Sequence, residues 1–437
     1  MNLIRKLDTF LKEIDKDGSE IVDKFVYDEY YYLFRLSLFY PYAKLNMFLL
    51  HLITLIFFCY IYSTHVILLL ITAILTNDII LMIYSLYIAC LLALFLSFIF
   101  TINSARKQFN SVHEMLGKGV YNYNEIETDE EILMKKAYHR SKNILKISLP
   151  ITNIVGFIGV LIVGPWIEFT VNPIKLVQIY SEEGINFILP VNAWYPFQTH
   201  EGIGYYYGII SQILVGTALT ITLTSATWIY FTTTTHILIQ MERLIISLKN
   251  INERALNMYK KIINNNNIVF KHELYSDKDF IKCTEYCLKR NIEHHQAILS
   301  VFNDVTGMLK APVFATLFTG SLILGLSAFI IAQGSDTPGI VLSSLTVATA
   351  EFMHITFICR AGQQISDLNQ NLHLEFYNTP WFYCSKQFKD LLLVSQSVTS
   401  CELYLKTMFD FKSDMNTYSH ILNTAYSYFS LLLAFKD

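Results

Sequence analysis

Seven long apolar stretches divide this chain: roughly Leu45–Leu70, Ile79–Ile102, Ile147–Ile167, Tyr205–Phe231, Ala311–Ala332, Ile340–Ile358 and Asp414–Phe435. Of the 33 lysines and arginines, 31 fall in alternate segments between them, starting with the N-terminal arm. The other two, Lys175 and Lys436, fall on the opposite side. Read with the positive-inside rule, this asymmetry predicts a cytoplasmic N-terminus and an extracellular C-terminus. Two of the basic loops are long, where the rule is weaker, but an imbalance of 31 to two survives the discount.

Composition agrees with a membrane protein. Hydrophobic residues make up 53% of the chain and charged residues 16%, with a mean hydropathy of +0.37, against about 25% charged in soluble domains. Each stretch runs about 20 residues or more, enough for ~30 Å of hydrocarbon at ~1.5 Å per residue. A soluble protein with buried helices is disfavoured, because Ile79–Ile102 has no charged residue in 24 positions. The first 20 residues are charged throughout, so no cleavable signal peptide is expected and the first span directs insertion. Cys59, Cys90, Cys283, Cys287, Cys359, Cys384 and Cys401 all lie in spans or on the basic side, leaving no outer pair for a disulfide. The net charge of −3 and the lack of a basic–aromatic motif give no reason to expect a nucleic-acid partner.

The predicted fold is all-α: a seven-transmembrane helical membrane protein with a cytoplasmic helical anchor region. Its expected segments are a cytoplasmic arm (1–44), spans one to four as a ligand-binding bundle (45–235) and a cytoplasmic anchor extension (236–310). Spans five and six (311–362), further anchor helices (363–412) and a pore-lining seventh span (413–437) follow. Met241, Leu244, Ile245, Leu248, Ile251 and Leu256 recur at helical spacing in the anchor, so these helices are expected to pack together, also between subunits. The one long outer segment, Glu168–Gly204, carries Trp194-Tyr195-Pro196-Phe197 and is expected to fold back over the body.

The last stretch, SDMNTYSHILNTAYSYFSLLLAF, is far more polar than the other six. On a helix, Asn416, His420, Asn423, Thr424 and Ser427 share one face, which turns apolar at Ser430, Leu431 and Ala434. Polar groups at membrane depth must face protein or water. Two readings satisfy that: hydrogen bonds inside one bundle, or a wet pore between subunits gated by a ring of leucines. The outer acids Asp78, Glu168, Glu182, Glu183, Glu201, Asp336 and Asp437 favour a pore with a cation-concentrating vestibule.

The C-terminal Thr424-Ala425-Tyr426-Ser427-Tyr428-Phe429-Ser430-Leu431-Leu432 resembles the end of insect odorant receptors. Tyr377-x-x-x-Trp381, the Trp194-Tyr195-Pro196 loop and Gly362-Gln363 add to the resemblance, which covers essentially the whole chain. It implies a tetrameric odorant-gated cation channel lined by the last helix. The partners implied are an odorant co-receptor subunit or further copies of this chain, a small apolar volatile ligand and membrane lipid. In the co-receptor and in gustatory relatives the terminal segment reads Thr-Tyr, five apolar residues, then Gln-Phe. Aligned on Tyr428, the gate valine falls on Leu431 and the pore glutamine on Ala434, a departure that implies a tuning subunit rather than a co-receptor. The resemblance carries the pore and gate role to His420, Asn423, Thr424, Ser427, Leu431 and Ala434.

The family's pocket lies among the outer halves of spans two, three, four and six. Carried over by depth, the candidate ligand-binding residues are Tyr84, Tyr87, Gly159, Ile162, Trp166, Tyr207, Ser211, Ser343, Thr346 and Val347. Aromatic and small uncharged residues suit a neutral apolar molecule, although each also reads as ordinary packing or an interfacial aromatic. Elsewhere, Cys283-x-x-x-Cys287 with His294-His295 matches no strong zinc pattern. Glu351 and His354 read as a buried polar pair more readily than as a transporter's proton relay. No nucleophile–base or nucleotide motif appears, so neither an enzyme, a metal nor a cofactor is expected. A gustatory receptor-type channel is the nearest alternative. A G-protein-coupled receptor would need the opposite orientation, and a secondary transporter would show repeats and broken helices.

Overall fold

The fold is that of a computed structural model describing residues 20–30, 79–123, 128–171, 202–265, 268–334 and 338–436, with residues 63, 66, 67, 70, 71, 74, 189, 195 and 197–199. Most of Leu45–Leu70, Trp194, Pro196 and the acids Asp78, Glu182, Glu183, Glu201, Asp336 and Asp437 lie outside the described residues.

The described residues are mostly helical, joined by short turns and loops, with one isolated bridge between Lys406 and Lys412. In chain order the helices are α1 (Glu20–Glu29), α2 (Ile79–Ser104), α3 (Arg106–Lys118), α4 (Asp129–Ile158), α5 (Gly164–Val171) and α6 (Gly202–Lys249). They continue with α7 (Ile251–Ile263), α8 (Lys278–Gln333), α9 (Pro338–Asn378), α10 (Lys386–Thr399) and α11 (Met415–Lys436). A π-helical turn, Gly159–Val163, joins α4 to α5. Among the described residues five segments are long and apolar enough to cross a membrane: Met82–Thr101, Asp129–Val171, Gly202–Lys249, Lys278–Gln333 and Pro338–Tyr383. The protein is a membrane protein with a helical bundle. Residues 236, 311 and 363, where the sequence divides span from anchor, fall inside continuous α6, α8 and α9. A helix leaving the bilayer keeps its internal hydrogen bonds, so nothing compels a break at the interface.

Helix starts follow local chemistry. Thr128 caps α4 by accepting from Glu131 N at 3.2 Å, ahead of Asp129, Glu130 and Glu131 in the first turn, where negative charge meets the positive helix end. Asp277 caps α8 (2.8 Å from Asp279 N), Ser385 caps α10, and Asp414 accepts from Thr417 N at 2.8 Å to start α11. The long helix α8 is the hub, packing on α2, α9 and α11.

At the basic end, parts of α3, α6, α7, α8, α9 and α10 share one apolar core with Phe109, Met241, Leu244, Leu288, Phe376 and Phe388 fully buried. Asn369 Nδ2 donates to the carbonyls of Thr399 (3.3 Å) and Cys401 (3.0 Å), tying α9 to the end of α10. His113 is buried between Tyr30 Oη (2.6 Å) and the Phe109 carbonyl (2.7 Å), and burial lowers its pKa to about 4. His294 meets Tyr123 Oη (2.8 Å) and Gln240 Oε1 (2.9 Å), and burial, with Arg243 nearby, lowers its pKa to about 3. Both of its ring nitrogens are thus engaged by protein. Among the described residues no three His, Cys, Asp or Glu side chains gather as metal ligands.

One outer acid is corrected. Glu168 is buried, and its carboxylate accepts the Gly339 N–H at 2.9 Å at the start of α9. A carboxylate satisfied at a helix N-terminus belongs to the α5–α9 contact, not to a cation vestibule.

Candidate functional site

Two features stand out, an internal cavity and the face of the last helix. A cavity of about 140 Å³ lies between α2, α4, α6 and α9. Its walls are Ile88, Leu91 and Phe95 from α2, Phe157 from α4, Val160 and Leu161 from the π turn, Val215, Gly216 and Leu219 from α6, and Val347 and Ala350 from α9. An engineered apolar cavity of about 150 Å³ holds benzene, so a single small ring fits. Four further wall residues, Asn153, Thr220, Glu351 and His354, are polar. Asn153 Nδ2 donates to Thr224 Oγ1 at 2.8 Å, and Thr220 Oγ1 donates to the Gly216 carbonyl at 2.8 Å.

The ten residues assigned to a pocket by depth separate into distinct places. Val347 lines the cavity. Tyr84 and Tyr87, ring centroids 6.1 Å apart, are buried in a neighbouring cluster with Ile323, Phe329 and Ile330 of α8. Gly159, Ser343 and Thr346 belong to the contact of α9 with the π turn. A side chain on Gly159 would strike Thr346, and Ser343 Oγ lies 3.4 Å from the Gly159 carbonyl. Ile162, Trp166 and Tyr207 are 56%, 64% and 50% exposed and turn away from the cavity. Ser211 donates to the Gly208 carbonyl (2.8 Å) and lies 3.4 Å from Tyr195 Oη, while Gln212 Nε2 donates to that Oη at 3.2 Å. Through these contacts Tyr195 docks on α6. The cavity lies among α2, α4 with the π turn, α6 and α9, and of the ten candidates Val347 lines it. Asn153, Gly216, Ala350, Glu351 and His354 as wall residues were not anticipated. The ionisable pair at membrane depth was the available signal for the last two.

The last helix has two faces. Ile421 and Ala425 are buried against the bundle. Asn416, His420, Asn423, Thr424, Ser427, Leu431 and Ala434 are all exposed, in one stripe. Thr424 and Ser427 return their hydroxyl protons to the His420 (2.8 Å) and Asn423 (2.9 Å) carbonyls. The residues ahead of this helix are clamped to α9: Gly362 lies where any side chain would strike Ser413, and Gln363 Oε1 is 3.5 Å from Met415 N.

The model of the family described as 7tm Odorant receptor matches residues 99–426. The chain belongs to the 7tm odorant receptor family. Curated relatives of this chain include odorant receptor 46a, isoform A, of Drosophila melanogaster, 26% identical over 149 residues, covering 34% of this chain and 39% of the relative. Drosophila melanogaster odorant receptor 85b is 24% identical over 170 residues, covering 38% of this chain and 42% of its own length. The chain thus spans roughly two fifths of these relatives. The same bundle occurs in the insect olfactory receptor OR5 from Machilis hrabei, solved in complex with eugenol (TM-score 0.65, 14% identity, 98% of both chains). Another structure of that protein gives a TM-score of 0.61 at 18% identity over 87% of each chain. The family is one of receptors, not enzymes.

Proposed function

We propose that this odorant receptor is a tuning subunit of an odorant-gated, non-selective cation channel in the plasma membrane of sensory neurons. The basic ends of its helices face the cytoplasm in this reading, and the C-terminus lies outside. The observation that carries the reading is the stripe on α11. A 22-residue helix that packs by Ile421 and Ala425 and leaves Asn416, His420, Asn423, Thr424 and Ser427 uncovered needs water or a neighbouring subunit on that face. Repeated around a symmetry axis, four such faces make an aqueous conduit, narrowed by Leu431.

The ligand in this reading is a small, largely apolar volatile held in the cavity between α2, α4, α6 and α9. Binding opens the pore by preferring the open arrangement of these helices. The fold shared with a receptor solved with eugenol supports a small aromatic occupant. Exposed Leu393, Val394, Phe409 and Phe411 near the basic end support contacts there with other subunits, either a co-receptor or further copies.

Patch-clamp recording from cells expressing the chain, alone and with an odorant co-receptor, against small alcohols, esters and phenols tests the reading. Ligand-evoked cation current is expected. Saturable uptake without current, or a surface-exposed N-terminal tag, overturns it.

A further inference from the structure

The polar side of the cavity is incomplete. Glu351 and His354 stand one turn apart on α9, are 4% and 5% exposed, and both line the cavity. His354 Nδ1 lies 3.9 Å from Glu351 Oε2, beyond hydrogen-bond reach. Glu351 Oε1 and His354 Nε2 are buried without a hydrogen-bond partner among the described residues. The carboxyl group extends from the cavity wall to α8, where a Cβ on Gly320 would lie 2.6 Å from Oε1. The other two polar side chains on the wall, Asn153 and Thr220, already donate within the protein. The rest of the wall, from Ile88 and Val160 to Val215 and Val347, is apolar.

We propose that the cavity selects a small apolar molecule carrying one hydroxyl group, an alcohol or phenol, which engages Glu351 as a donor and His354 as an acceptor. This rests on the reading of the cavity as the ligand site and names its ligand class. A carboxylate accepts, and an imidazole nitrogen donates in one tautomer and accepts in the other, so the pair asks for a group that can do both. A hydroxyl does. An ether, ester or aldehyde accepts only and leaves the carboxylate bare, and a hydrocarbon leaves both bare. A protonated amine donates only, and a carboxylic acid sets its charge against Glu351. Sites built to hydrogen-bond a hydroxyl reject analogues lacking it, because their own buried groups are then unpaired.

Four compounds of similar size test this: phenol, anisole, toluene and benzylamine. Current is recorded from cells co-expressing a co-receptor, and binding is read separately as thermal stabilisation of the purified receptor. Phenol is expected to act at concentrations at least about tenfold below anisole and toluene. Glu351→Leu and His354→Phe are each expected to bring phenol and toluene within about threefold. Glu351→Gln, which keeps the shape, serves where the leucine variant does not fold. Equal potency of phenol and toluene, preference for benzylamine, or an unchanged ratio in all variants overturns the proposal. Phenol-selective stabilisation without any current upholds the hydroxyl preference and sinks the channel reading. Stabilisation by none of the four removes both the ligand site and its selectivity.

Discussion

Gly325 on α8 and Ala425 on α11 meet so closely that a Cβ on the glycine would lie 2.9 Å from the Ala425 carbonyl oxygen. The same Cβ would lie 2.9 Å from Tyr428 Cβ. The last helix is therefore seated on the hub helix by backbone contact, as small residues allow between membrane helices. This crossing lies on the side opposite the polar stripe.

Gly325→Ala has to push α11 off its seat, because the atoms it meets are backbone and Cβ rather than a flexible tip. Overpacking of this kind costs about 1–3 kcal/mol. The expected results are a lower melting temperature for the purified receptor and an altered resting conductance. Wild-type values of both would show that the two helices have slack at this crossing.

Leu431 is 55% exposed on the stripe face, above Ser427 and Thr424. If apolar side chains dewet the conduit there, Leu431→Ala raises the resting leak, and Leu431→Ser raises it further. Recording without ligand checks this. A leak as small as wild type in both variants places the constriction elsewhere.

Val347 lines the cavity, whereas Ile162 and Trp166 face outward. Val347→Phe is expected to fill the space and raise the activating concentration at least about tenfold. Ile162→Ala and Trp166→Ala are expected to leave it within about threefold. Concentration–response curves for all three, with surface expression matched, decide between the cavity and the residues chosen by depth.

Acid should loosen the basic end. His113, against Tyr30 and Phe109, and His294, among Tyr123, Gln240, Arg243 and Arg254, titrate at about 4 and about 3 in the folded chain, well below the usual 6.5. The unfolded chain then binds protons that the folded chain refuses. Stability is full above about pH 6.5 and falls as pH drops toward 4, by on the order of 2 kcal/mol per histidine at pH 5. Melting curves between pH 7 and pH 5 measure the loss, and His113→Phe should flatten part of the slope. Melting that is flat over this range contradicts neutral, buried histidines.

Helix existence, five of the apolar spans and the two-faced last helix were legible because each depends on local chemistry. Hydrocarbon admits only segments whose backbone groups bond internally, and Asn416, His420, Asn423, Thr424 and Ser427 fall on one face by helical period alone. Which outer-half residues share a cavity was not legible. Trp166 and Tyr207 look like ligand contacts by type and depth, yet helix rotation turns them outward. Rotation is fixed by close contacts such as Gly159 with Thr346 and Gly325 with Ala425, which join residues far apart in the chain. Glu168, one acid among several in the sequence, became a helix cap only because Gly339 was brought to it.

The order of residues thus determined the element types, the lopsided charge and the amphipathic final helix, since these follow from nearest-neighbour geometry and solvent. Only the tertiary structure decided which side chains face one another across the bundle. That choice turned Glu351 and His354 from a buried pair on one helix into the unsatisfied wall of a cavity, because packing between helices is set by shape, not by period.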